Sequence, residues 1–422
     1  MKKETQAIPT FSSYQKFVIF ILAITQFTVI LDFMVMSPMG DILMKTMHLK
    51  PTDFGLVVSA YAFSAGISGL LTAGFADKFD RKKLLLFFYI GFIIGTILCG
   101  TVTTYPLLVG ARIFTGLFGG VIGSISMAIV IDLFALQQRG RVMGFIQMAF
   151  GTSQIFGIPV GLYLANAWGW HAPFLWIAVM AVLIVFLIFF KLKPLTGHLV
   201  AQPIKSPLSH LTNTLLKKEY RIGFAATAIL SVGGFMMMPF GSAFAINNLK
   251  ITEAQLPLVF MIAGLATLII MPIVGKLSDR KDKFKIFMYA SIWSIIMIGI
   301  YTNLQVTPFA LVAFLNILMM MGIMSRMVPS TALVTAIPQL KDRGAFMSIN
   351  ASLQQIAGGI AAAFAGTIVV QKDNFSPLEH YDTLGYFVIA ISIISILLVK
   401  RVDKHLKKNP KETTTAVLHF NE

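Results

Sequence analysis

A single cysteine, Cys99, stands in an apolar run, so neither an intramolecular disulfide nor a cysteine-built metal cluster can form. Charge is scarce too. Only 12% of residues are charged, against about 25% in soluble domains, which leaves too little polar sequence to coat the two or three soluble domains that 422 residues would otherwise suggest. No G-x-x-x-x-G-K-[ST] phosphate loop occurs, which excludes ATP as a driving force from within the chain. His48 and His171 lack metal-ligand spacing to Cys or carboxylates. No metal site, cofactor or enzyme chemistry is expected.

Apolar sequence is what the chain has, at 56% of residues. A helix needs about 20 apolar residues to cross the ~30 Å hydrocarbon layer of a bilayer. Twelve runs qualify: 17–44, 54–74, 84–103, 106–131, 142–166, 172–190, 222–247, 255–275, 285–303, 307–334, 345–370 and 384–399. The run after Lys16 is too long for a signal h-region and no A-x-A-like site follows it, so it is read as the first membrane helix.

The 34 Lys and Arg against 18 Asp and Glu give a net charge of +16, a balance that can mean a nucleic-acid partner, so its placement has to decide. One set of alternate loops holds nearly all of the basic residues, including Lys78 to Lys83, Arg139, Arg141, Lys276 to Lys285 and the cluster from Lys400 to Lys411. The other set holds Lys45, Lys50, Lys250 and Lys372. That asymmetry places both termini in the cytoplasm and explains the charge without nucleic acid.

About thirty polar residues from Lys191 to Arg221, with Pro194, Pro203 and Pro207, read as a linker between two six-helix halves. The expected organisation is a bundle over 1–190, a linker over 191–221, a second bundle over 222–399 and a basic tail over 400–422. The halves resemble each other. Asp77-Lys78-Phe79-Asp80-Arg81 recurs as Asp279-Arg280-Lys281-Asp282-Lys283, and Phe33-Met34-Val35-Met36 as Phe235-Met236-Met237-Met238, both 202 residues on. Arg139-Gly140 with Met143 recurs as Arg343-Gly344 with Met347, 204 residues on. Such offsets mark a duplication, and parallel six-helix repeats place a substrate site at their interface.

At these residues the chain resembles the major facilitator superfamily over essentially its whole length. Ala73-Gly74-Phe75-Ala76-Asp77-Lys78-Phe79-Asp80-Arg81-Lys82-Lys83 is similar to the family's loop motif, with Ala73 and Asp80 at two of its glycine positions. The second copy keeps Gly275, Asp279, Arg280 and Lys283. Arg112-Ile-Phe-Thr-Gly116 resembles the R-x-x-x-G motif of the fourth helix, and Gly157-Ile-Pro159-Val-Gly161 the antiporter motif of the fifth, followed by Gly169-Trp170-His171 where the family has G-W-R. Ile30-Leu31-Asp32-Phe33 looks like the acidic motif of the twelve-helix drug:proton antiporters. The resemblance implies an all-α membrane fold of two pseudo-symmetric six-helix bundles. It also implies that Arg81 pairs with Asp132. Asp77 can face the start of the eleventh helix near Gly344, where the helix dipole and free N–H groups favour an anion, and such contacts latch the halves in an outward-open state; the rival reading is that Lys78, Arg81, Lys82 and Lys83 only enforce topology.

Charges inside a membrane are expensive, so each is a candidate for function. Asp32 lies roughly 22 Å along the first run from the cytoplasmic end, and Arg112 roughly 9 Å along the fourth from the outer end, at 1.5 Å per residue. In a ~30 Å core the two depths nearly coincide. A carboxylate beside an arginine holds its charge and releases it on protonation or substrate binding, which makes Asp32 the candidate proton switch and Arg112 its counter-charge. A fixed ion pair that only aids folding is the rival reading. Arg326, deep in the tenth run, has no acidic neighbour there; it can snorkel, bind backbone carbonyls or meet an anionic substrate group. Asp41, near the outer end of the first run, reads as an inexpensive interfacial carboxylate. Met34, Met36, Phe235 and Met236, on the repeat-related first and seventh helices, suit a cavity that accepts varied apolar molecules, and suit lipid equally well. Gln26, Gln154 and Asn316 carry amides that want interior partners.

The expected protein is a monomeric secondary transporter of a bacterial inner membrane. It exchanges protons for a small amphipathic compound by alternating access, with the bilayer, protons and substrate as its partners. A sugar or metabolite transporter on the same fold, a lysophospholipid flippase and a sensor without turnover are the rivals.

Overall fold

A computed structural model describes residues 10–72, 78–196, 207–339 and 342–408. Eleven helices among them are long and apolar enough to cross a membrane. Together with one further long helix they form the series α1 (Ser13–Val35), α2 (Pro51–Thr72), α3 (Arg81–Cys99), α4 (Tyr105–Leu133), α5 (Leu136–Thr152 through Ser153–Gly157 to Ile158–Trp168) and α6 (Ala172–Lys191). The second bundle holds α7 (Lys218–Met237, continuing to Asn248), α8 (Leu256–Arg280), α9 (Lys283–Thr302), α10 (Phe309–Thr335), α11 (Arg343–Ile368) and α12 (Tyr381–Lys408). No strand occurs among the described residues beyond one isolated bridge, Val370 to Glu379.

The member that falls short in apolarity is α11, where twelve apolar spans were expected. Its first half carries Ser348, Asn350, Ser352, Gln354 and Gln355. At 26 residues it is nonetheless long enough, about 39 Å, and it packs between α2 and α7 so that protein covers its polar residues. A second difference concerns the expected run 17–44. The helix stops at Val35, turns through 36–39 and resumes as the short helix Gly40–Met47. Pro38 cannot donate the N–H that a continuous helix needs there. The expected linker contains the helix Pro207–Leu216, and the last helix runs on to Lys408.

Local chemistry fixes the helix starts on the lysine-rich side. Ser12 caps α1 in a box with Gln15, accepting from its N–H at 3.1 Å while the Gln15 Oε1 accepts from Ser12 N–H at 3.0 Å. Asp80 caps α3 by accepting from Lys82 N–H at 2.8 Å, and Asp282 caps α9 by accepting from Lys285 N–H at 2.9 Å. These two aspartates are repeat-related. Each also ties its helix to the far end of its own bundle, since Asp80 accepts from Leu195 N–H at 3.0 Å and Asp282 from Lys407 Nζ at 2.9 Å. The aspartate at the inner glycine position of the loop motif is therefore a cap.

Helices α1 to α6 pack mainly on one another, as do α7 to α12, and α2 against α11 and α5 against α8 join the two bundles. Outward side chains such as Val179, Leu183, Phe186 and Phe190 of α6 are exposed, as a lipid solvent allows and water would not. The buried apolar residues form three cores. One, at the lysine-poor end, draws on both bundles, including Met36 and Phe54 from the first and Met236, Phe240 and Ala362 from the second. The second comes from the first bundle alone, around Leu85, Phe92, Ile122 and Ile188. The third belongs to the second bundle, around Tyr220, Phe287, Phe346 and Val399, with Leu70 of α2 at its edge. The bundles share a core at the lysine-poor end and keep separate cores at the lysine-rich end.

Candidate functional site

Asp32 and Arg112 meet. Arg112 Nη1 donates to Asp32 Oδ2 at 2.8 Å and Thr96 Oγ1 donates to Asp32 Oδ1 at 3.1 Å, with both charged side chains wholly buried. The guanidinium also lies over the Tyr61 ring, 4.5 Å from its centroid, a cation–π contact that partly replaces lost hydration. Arg112 Nε and Nη2 bond to no protein group, so the site holds spare donors. Four helices build it: α1 gives Asp32, α2 Tyr61, α3 Thr96 and α4 Arg112. Removing one member of such a pair strands the other charge, at about 3–5 kcal/mol.

Thr96 and Tyr61 were not legible as partners. A threonine in an apolar run more often bonds its own helix backbone, and nothing in the sequence marks the register between α2 and α4. That register depends on glycines. A Cβ at Gly116 would fall 2.5 Å from Tyr61 O, and one at Gly120 would fall 2.5 Å from Ala65 Cα, so α4 approaches α2 closely only with both bare.

The pair sits beside the seam between bundles. The Phe33 ring lies 5.2 Å from that of Tyr61 and 5.8 Å from that of Phe235 in the other bundle. Phe33 and Phe235 are the repeat-related residues, and equivalents that touch one another mark the pseudo-two-fold axis. Phe235 in turn faces Gly358 of α11, where a Cβ would come within 2.9 Å of its ring.

Above the pair, the lysine-poor end is shut. Asn247 Nδ2 donates to Asp41 Oδ1 at 2.6 Å, Ser242 Oγ to Ser37 O at 3.0 Å, Thr52 Oγ1 to Gly366 O at 3.0 Å and Asn166 Nδ2 to Glu253 O at 3.2 Å. With the contact between Asn374 and His48, these are the hydrogen bonds between bundles among the described residues, and all lie at this end. Asp41 is accordingly buried and also paired with Lys45 at 2.6 Å, rather than interfacial as expected. A carboxylate at a helix end becomes buried only when the other bundle supplies a cover, and that cover is Asn247 in the π turn Phe244–Asn248.

The proposed cavity residues divide. Met34, Met36 and Met236 are packed into the shared core of this closed end, and Phe235 is half-buried against it. Gln26, Gln154 and Asn316 are half-buried, each with an amide oxygen that has no hydrogen-bond partner. Arg326 is buried and donates from Nη1 to Ser392 Oγ at 3.1 Å. In the loop motif, Arg81 Nε pairs with Asp132 Oδ2 at 3.2 Å, and Arg280 is exposed. Asp77 and the Asp279 side chain lie outside the described residues.

Comparison with known proteins agrees with this architecture. The family model of the Major Facilitator Superfamily matches residues 22–362 and 223–422. The MFS-type transporter YbcL of Bacillus subtilis (strain 168) is 24% identical over 390 residues, 90% of this chain and 95% of that protein. Multidrug resistance protein 2 of the same organism is 24% identical over 315 residues, 71% of this chain and 78% of its own length. Among solved structures, a D-xylose-proton symporter superposes with a TM-score of 0.76 at 16% identity, covering 92% of this chain and 97% of that one, a likeness of fold.

Proposed function

The chain belongs to the Major Facilitator Superfamily, and from that premise we propose that it is a proton-driven antiporter that expels a small amphipathic compound across a bacterial inner membrane. The observation that carries the reading is the buried Asp32–Arg112 pair, beside the seam between bundles and beneath a closed end. The asymmetry of Lys and Arg sets the lysine-rich end in the cytoplasm, so separate cores at that end and a shared core at the other describe a state closed to the outside.

Alternating access gives the pair its work. Opening the outer end exposes Asp32, and a proton taken up there removes the charge that holds Arg112. The freed guanidinium, its spare Nε and Nη2 donors and the Tyr61 ring then change the seam through Phe33 and Phe235. Return to the inward state delivers the proton to the cytoplasm and restores the ion pair. A cargo that competes for the same state of the site is carried the opposite way. The likeness to multidrug resistance protein 2 supports export of drug-like molecules.

The test uses purified protein in liposomes carrying a trapped pH dye, with a panel of amphipathic fluorescent dyes of positive, negative and zero charge as cargo. Wild type should move protons against at least one dye, and Asp32→Asn should bind dye but lose the coupled proton flux. Full proton-driven transport by Asp32→Asn would remove the switch assignment.

A further inference from the structure

Among the described residues Arg326 is a cation without a counter-ion. It is 3% exposed, and at 17 residues past the start of α10 it lies roughly 25 Å from the lysine-poor end. Asp32 balances Arg112, but the second bundle offers Arg326 nothing comparable: the acids of α7 to α12 are Glu219, Asp279, Asp382 and Asp403, all near helix ends. Its one side-chain partner is the neutral Ser392 of α12, and its Nε makes no hydrogen bond. No backbone carbonyl among the described residues accepts from it. A bare arginine at this depth is costly unless it snorkels or meets an anion, and a side chain this enclosed has not snorkelled.

The surroundings are built for polar contact. Gly233 of α7 leaves room beside the guanidinium, since a Cβ there would sit 3.6 Å from Nη2. Ser395, one turn along α12 from Ser392, keeps a buried hydroxyl that bonds to nothing. Ser291 of α9 does the same. Gly322, one turn before Arg326, meets Ser294, and because α9 and α10 run in opposite directions this sets Ser291 at the level of Arg326. Three helices thus place an unused hydroxyl or a bare backbone within about a turn of the level of this guanidinium.

We propose that Arg326 is a binding centre for a single anionic group carried by the transported molecule, a carboxylate, sulfonate or phosphate. The proposal rests on the transporter reading and narrows its substrate class. The planar fork of arginine suits such groups. A cargo anion neutralises the second bundle's one deep charge while the Asp32–Arg112 pair handles the proton in the first.

Thermal unfolding of the purified full chain in detergent tests this, with acetate, benzoate and naphthoate each compared with its uncharged amide at constant ionic strength, and chloride compared with gluconate. At least one carboxylate should stabilise wild type more than its amide. Arg326→Gln should weaken the apparent affinity by about tenfold or more, while Arg326→Lys keeps part of it. The preference should survive Asp32→Asn, so that loss of proton coupling and loss of anion binding are separate results. No carboxylate–amide difference in wild type overturns the proposal without recourse to any variant. Equal preference in Arg326→Gln, or stabilisation by chloride with none from any carboxylate, does so as well.

Discussion

Replacing Gly55 by alanine puts a Cβ 2.8 Å from the carbonyl oxygen of Ala362 and 3.3 Å from Gly366 Cα. Both neighbours are backbone, so no side chain can rotate away. Ordinary contact begins near 3.4 Å, and α2 and α11 must part by about 0.6 Å where they close the lysine-poor end. Such overpacking costs about 1–3 kcal/mol, and the preference of alanine over glycine in a helix is common to the closed and open states and cancels between them. The closed state should lose about 1–3 kcal/mol relative to a state with the outer end open, a factor of about 5–150 in its population. Spin labels at Lys50→Cys and Lys372→Cys, exposed positions on the two sides of the seam, report the separation. Cys99 is buried and escapes the label. The distance distribution should shift toward longer values in Gly55→Ala. Gly110→Ala, where a new Cβ meets nothing within 4 Å, should leave it unchanged. If Gly55→Ala and Gly110→Ala give the same distribution as wild type, close α2–α11 approach does not hold the outer end shut.

The same labels should show Asn247→Ala moving the population in the same direction, because the buried Asp41 carboxylate loses the one donor it receives from the other bundle among the described residues; hydrogen bonds to charged groups contribute about 1.5–3 kcal/mol. A second expectation concerns pH. Burial opposes charge on Asp342, but Lys217 and the Tyr220 hydroxyl, the latter at 2.7 Å, prevail and hold its carboxyl below the usual 3.8. A carboxyl lowered on folding contributes stability that is present above its unfolded value and lost as pH falls through the folded one. Asp342→Asn should therefore melt lower than wild type at neutral pH, and the gap should begin to narrow as pH falls below the unfolded value of about 3.9 and close only below the lowered folded value. A gap of unchanged size from neutral pH to the lowest pH at which the protein stays folded would show that the contribution is not electrostatic.

Much of the architecture was legible before any coordinates. The apolar runs set the helices, because a bilayer admits only helices or closed barrels. The Lys and Arg asymmetry gave the sidedness its expectation, and the 202-residue offset related Phe33 to Phe235 and Asp80 to Asp282. Depth along two antiparallel helices even paired Asp32 with Arg112. The run 345–370 was legible as well and is the helix Arg343–Ile368, although its polar first half leaves it less apolar than the rest; less legible was Pro38, whose break divided the first run.

What the chain determined by itself was composition, periodic apolarity and internal symmetry, since each depends on residues near in sequence or related by duplication. Only the tertiary structure decided which end is shut, that Asp41 is covered by Asn247, and that Thr96 and Tyr61 complete the first pair. Arg326 shows the division best. The sequence placed it deep in an apolar helix and left three roles open; the structure enclosed it beside Ser392 and Gly233, with no acid among the described residues to balance it. Burial and counter-charge are properties of neighbours brought together across helices, and helix packing chooses those neighbours.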